Sequence, residues 1–165
     1  MIKKKKMTTT FKIAAFAVLL TFAGCKKETS KPSEPEYTNF KVLNVKVSAM
    51  PFINSNNASW DILNGPDLFF KMETDNNAVI FNGTSSRIND ISPASLPLSW
   101  DFVNAYQITN LSVTHYVTLY DYDTPDPDDE IGYVGFTMQD HKSGYPKSIT
   151  KAQNDITVTI SGEWY

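Results

Sequence analysis

Cysteine is nearly absent: the 165-residue chain has one, Cys25. That excludes an intramolecular disulfide framework and any zinc site built on several thiolates. No apolar run reaches the roughly twenty residues that a membrane-spanning helix needs. There is no glycine-rich phosphate loop. The two histidines, His115 and His141, have no serine or carboxylate placed with them in a nucleophile–base pattern, so nothing argues for an enzyme. Helical spacing is missing throughout the region beyond residue 36. Positive charge is scarce there as well. Lys41, Lys46, Lys71, Arg87, Lys142, Lys147 and Lys151 stand against fifteen acids, a net charge of −8 for residues 37–165, although the whole chain is only −3. A region this acidic is unsuited to nucleic acid or, unaided, to an anionic surface, and suited to cations.

What is present begins with a targeting signal. Lys3, Lys4, Lys5, Lys6 and Lys12 precede an apolar stretch, Ile13 to Phe22, of signal-peptide length. Ala23 and Gly24 then lead directly to Cys25. This arrangement resembles the lipobox of bacterial lipoproteins, with Phe22 standing where leucine is usual. The resemblance implies a signal peptide over 1–24, removed on export, and acylation of Cys25 by diacylglycerol and a fatty acid such as palmitate. It also implies a home in the bacterial cell envelope. Lys26 follows the cysteine where an acid would favour inner-membrane retention, so the outer membrane is expected. Residues 25–36 (CKKETSKPSEPE) hold no large apolar side chain and read as a flexible tether.

From residue 37 onward the pattern has period two. Leu43, Val45, Val47 and Ala49 alternate with Asn44, Lys46 and Ser48, predicting a half-buried strand. Leu68–Met72 and Ala78–Phe81 flank a turn at Asp75-Asn76-Asn77. Leu98, Trp100 and Phe102 alternate, Leu111 to Tyr120 is the longest β-branched and aromatic run, and Tyr133–Met138 and Ile156–Trp164 follow. Short strands separated by Asn, Gly and Pro predict one all-β domain over 37–165, an antiparallel sandwich or barrel.

The chemistry concentrates in Leu119–Gly132 (LYDYDTPDPDDEIG). A strand ends in Asp121-Tyr122-Asp123, whose two acids share a face because residues two apart on a strand do. Carboxylates that close repel unless a cation sits between them. With Asp126, Asp128 and Asp129 nearby, a hard cation with many oxygen ligands fits, calcium better than magnesium. The loop lacks the glycine and the closing glutamate of an EF-hand. Its spacing resembles the third calcium loop of C2 domains, the calcium- and phospholipid-binding sandwiches, in Asp121, Asp123 and Asp129 followed by Ile131-Gly132. Asp61 and Asp67, six apart and leading into Leu68-Phe69-Phe70, resemble that family's first loop, with Pro66 before the acid rather than after it. Ser92-Pro93 to Phe102 is a weaker match to another strand opening, and Pro51–Trp60 is longer than the family's usual approach.

The resemblance implies an eight-stranded C2-like sandwich with Asp61, Asp67, Asp121, Asp123 and Asp129 as Ca2+ ligands, supported by Asp126. It implies calcium-dependent binding of phospholipid headgroups, with Ile62 and Leu63 available for membrane contact. The alternative is a structural, adhesive or carbohydrate-binding lipoprotein, with a surface glycan or protein as partner, in which calcium only rigidifies the loops.

Overall fold

A computed structural model describes residues 36–61 and 64–165. The expected signal peptide, Cys25 and all but the last residue of the expected tether lie outside the described residues, as do Ile62 and Leu63.

Eight strands follow in order: β1 (Phe40–Ala49), β2 (Leu68–Thr74), β3 (Val79–Asn82), β4 (Leu98–Ile108), β5 (His115–Asp121), β6 (Asp129–Phe136), β7 (Ser148–Gln153) and β8 (Ile156–Trp164). They form two four-stranded sheets, β4-β1-β8-β7 and β3-β2-β5-β6, antiparallel at every pairing. The expected eight-stranded all-β sandwich is therefore present. Between the sheets lie the inward residues of each strand, among them Phe40, Val45, Leu68, Phe70, Met72, Val117, Leu119, Val134, Val158 and Ile160, all fully buried. Each such side chain contributes on the order of 1.5–3 kcal/mol by leaving water. Among the described residues, those that form the core lie within Phe40–Trp164.

Two sequence expectations need correction, and one strand, β7, is unexpected. Simple alternation turns Leu43 inward, whereas Phe40, Val42, Val45 and Val47 are the residues that face the core. A register shift between Val42 and Asn44 breaks the alternation, because a bulge inserts one residue and reverses the parity behind it. The run expected from Leu111 begins as a strand only at His115, since 111–114 form a turn in which the Asn110 carbonyl accepts the amide of Val113. β7 carries no apolar alternation, and only Ile149 in it is buried, as befits an edge strand.

Between β3 and β4 the sandwich edge is closed by aromatic rings. Phe70 packs against Phe81, Trp100 and Phe102 at centroid separations of 4.9, 5.3 and 6.3 Å. The Trp100 indole donates to the Ser86 carbonyl at 2.9 Å, fixing the segment that leads from β3 to β4.

Candidate metal centre

Strand ends determine where the acids meet. Leu68, the first residue of β2, pairs with Asp121, the last of β5, and Asp121 pairs in turn with Asp129, the first of β6. The loop leading to Asp67 and the loop leaving Asp121 therefore emerge at one rim of the sandwich. Beyond the strands the ladder continues by one bond, from the Tyr122 amide to the Asp67 carbonyl at 3.0 Å. In β5 the inward positions are His115, Val117, Leu119 and Asp121. Asp121 thus occupies a core-facing place at the point where the core ends.

The first loop is held by its own hydrogen bonds. The Asp67 amide donates to Asp121 Oδ1 at 2.7 Å, and Asp67 Oδ1 accepts the Asp90 amide at 2.9 Å. Asn64 donates its side-chain amide to the Asp90 carboxylate, and the Ile91 amide donates to the Pro66 carbonyl at 3.0 Å.

Three carboxylates converge. Asp61, Asp121 and Asp123 each offer an oxygen, and these oxygens lie within 4.8 Å of one another. Asp121 is fully buried, and its Oδ2 has no hydrogen-bond partner. Burial, with the charges of Asp61, Asp123 and Asp67 adding to it against the opposing Asp67 amide, pushes the Asp121 carboxyl up to about 6. Asp61 is raised by burial and then by Asp67 and Asp90. Asp123 is raised by burial and then by Asp129 and Asp61, with Asp126 adding to the effect and the Asp129 amide opposing it. No protein cation relieves this crowding: among the described residues the one ion pair is Lys142–Glu36, at 2.9 Å. Arg87 instead lies over the Tyr122 ring, 4.2 Å from its centroid.

Two oxygens that share one calcium at the usual ~2.3–2.6 Å stand at most about 5 Å apart, whereas magnesium at ~2.0–2.1 Å spans about 4 Å. Oxygens within 4.8 Å of one another are close enough for one calcium to bridge them. The donor set is all oxygen and mostly anionic, again the preference of a hard cation. A buried carboxylate oxygen without a partner is the feature such an ion would satisfy.

Of the residues expected from sequence, Asp61, Asp121 and Asp123 form one group. Asp67 adjoins it through Asp121, and Asp129 and Asp126 adjoin it through their repulsion of Asp123. Asp90 escaped the sequence reading. It repels Asp61 and fixes the Asp67 carboxylate through its amide, yet it stands in an Asn-Asp turn outside either loop pattern. His115, at 2% exposure, packs between Tyr106 and Phe136 and sits 3.0 Å from the Val113 carbonyl, a core role.

No family model matches the chain, and no curated protein matches it. Several solved structures are similar to it. One is human GIVD cytosolic phospholipase A2, at 16% identity and a TM-score of 0.48, over 79% of this chain and 17% of that one. Another is the tandem pair of C2 domains of extended-synaptotagmin 2, at 13% identity and 0.49, over 95% of this chain and 48% of that one. The chain spans less than half the length of either.

Proposed function

We propose that residues 37–165 are a C2-like module that binds Ca2+ through Asp61, Asp67, Asp121, Asp123 and Asp129, with Asp126 in support. In this reading the module is carried on a lipidated Cys25 in the bacterial cell envelope, at the outer membrane, and its calcium-loaded rim takes phospholipid headgroups. The observation that carries it is the buried Asp121 Oδ2, without a partner, inside a cluster of acids that no lysine or arginine among the described residues neutralises. The ion would supply the missing charge. Two calcium ions would take the domain from −8 to −4 and reverse the sign at the rim, so that a surface repelling phosphate would accept it. The role is binding, not catalysis.

The test is the melting temperature of the chain from residue 25 onward, made with Cys25→Ser so that it cannot be acylated, across a calcium titration. Calcium should raise it by mass action, and Asp121→Asn/Asp123→Asn should remove the rise. A flat titration of the parent chain ends the proposal.

A second reading is favoured by the hydrogen bonds joining Asn64, Asp90, Asp67 and Asp121, which already tie the loops together. Calcium would then brace a structural, adhesive or carbohydrate-binding module. Extracytoplasmic sites with dissociation constants on the order of 10⁻⁴–10⁻³ M stay filled at external calcium concentrations, which suits bracing. Sedimentation with phosphatidylserine vesicles separates the two: pelleting in calcium but not in chelator supports the lipid reading, and calcium-stabilised protein that stays in solution supports bracing.

A further inference from the structure

The segment between β1 and the first acidic loop does more than connect them. Ile53 and Ser59 form an antiparallel bridge, so residues 53–59 fold back as a narrow projection at the acidic rim. Its tip closes on itself. Asn54 donates its amide to the Ala58 carbonyl at 2.8 Å, and Asn57 donates to the Asn54 carbonyl at 3.0 Å from a left-handed conformation with φ 58°. The Asn54 side-chain oxygen accepts the amides of Asn56 and Ala58 at 2.9 and 3.2 Å. At the base, the Trp60 indole is pinned to the Pro51 carbonyl at 3.0 Å. This projection and the start of β6 enclose a cleft of about 470 Å³, lined among others by Ser55, Asn56, Trp60, Asp129 and Glu130.

The geometry points to this cleft as a binding site for a polyhydroxylated group, a cyclitol or sugar ring seated beside the calcium rim. The inference rests on the calcium reading, because Asp129 belongs both to the cleft and to the proposed metal set. The chemistry of the lining selects the ligand. It contains no lysine or arginine and two acids, so the cleft offers no positive charge to a phosphate. Ser55 and Asn56 each present a donor and an acceptor, and Glu130 presents acceptors, the complement that adjacent hydroxyls require. Trp60 supplies an apolar wall to the same space, as a sugar or cyclitol ring with polar edges and carbon-bound hydrogens on its faces would need. The tip is held by its own hydrogen bonds, so little ordering remains to be done on binding.

The ligand can be a lipid headgroup such as inositol or a free saccharide, and the test has an arm for each. Phosphatidylcholine vesicles carrying equal fractions of phosphatidylinositol or phosphatidylserine, which have the same charge, are compared in calcium with the Cys25→Ser chain. Methyl glycosides and myo-inositol are titrated separately by calorimetry. Phosphatidylinositol should be preferred by about five-fold, the effect of one net hydrogen bond, and Asn56→Ala and Glu130→Ala should each erase the preference. A calcium-dependent calorimetric response that these variants abolish, without vesicle preference, assigns the cleft to a free saccharide. Equal or stronger binding of phosphatidylserine with no saccharide response overturns the inference, as does a preference that both variants retain. The melting rise in calcium, followed in the same samples, reports separately on the metal site. Neither Asn56 nor Glu130 belongs to that site, so both variants should keep the rise.

Discussion

Asp67 and Asp121 meet just beyond the first rung between β2 and β5, where the Asp67 amide donates to one carboxylate oxygen of Asp121 and leaves the other buried without a partner. One oxygen organises the loop; the second is free for an ion. Replacement of Asp121 by asparagine separates these roles, because the amide oxygen can still accept from Asp67 while the charge is gone. In chelator, Asp121→Asn should melt higher than the parent by roughly 3–5 °C, the equivalent of about 1 kcal/mol for a domain of this size. In calcium the order should reverse, since only the parent gains from the ion. Scanning calorimetry of both proteins in both buffers checks this, and a lower melting temperature for the variant in chelator would refute the claim of uncompensated charge.

The raised Asp121 carboxyl also sets a pH dependence. Its value of about 6 exceeds the ordinary 3.8, so the folded chain holds the proton more tightly than the unfolded chain. Its contribution to stability is then complete below about pH 4 and is lost as pH rises through about 6. Asp61 and Asp123 shift in the same direction, also first through burial. Metal-free protein should therefore lose melting temperature between about pH 5 and 7. With saturating calcium the trend should invert, because protons and calcium compete for the same oxygens. Melting curves at several pH values, with calcium and with chelator, should cross; parallel curves would mean that the acids and the ion are not coupled.

How much of this is legible in the sequence depends on which residues carry the signal. The inward set of β8, Ile156, Val158 and Ile160, follows uninterrupted alternation, and parity alone puts Asp121 and Asp123 on one side. The bulge after Val42 leaves no such mark, since a single inserted residue reverses which side chains are buried without changing composition. β7 is silent because an edge strand with one buried residue has no reason to alternate. Asp90 is invisible for a different reason. It reaches the rim through the pairing of Leu68 with Ile88, a contact between segments twenty positions apart that no local spacing encodes.

Gly65 tests whether the first loop must approach its neighbour as closely as it does. A Cβ there would lie 1.7 Å from the Ile91 carbonyl oxygen and 2.7 Å from its carbon, so backbone must move. Ile91 is almost wholly buried and its amide is tied to Pro66, which makes the loop the side that yields. Gly65→Ala should cost on the order of 2 kcal/mol and displace Asp67 from Asp121. Its calcium midpoint, read by isothermal titration, should weaken by at least about ten-fold, the consequence of one misplaced charged ligand. An unchanged midpoint would show that the close packing serves the fold alone.

Asp90 supplies a sharper test of what lies outside the ligand set. Its left-handed conformation, φ 53°, is one asparagine also tolerates, so Asp90→Asn keeps the backbone amide on Asp67 and an oxygen for Asn64. Only the charge near Asp61 disappears. A single charge acting through partly exposed space changes affinity by about two- to five-fold, which is the loss expected in a calcium titration. Stability in chelator should hold or rise slightly, because one like-charge repulsion is relieved. Asp90→Ala should lose the Asn64 bond as well and weaken binding further by loosening the loop. A loss of more than about a hundred-fold in Asp90→Asn, beyond what charge at a distance supplies, would instead make Asp90 a direct ligand and enlarge the metal set by one.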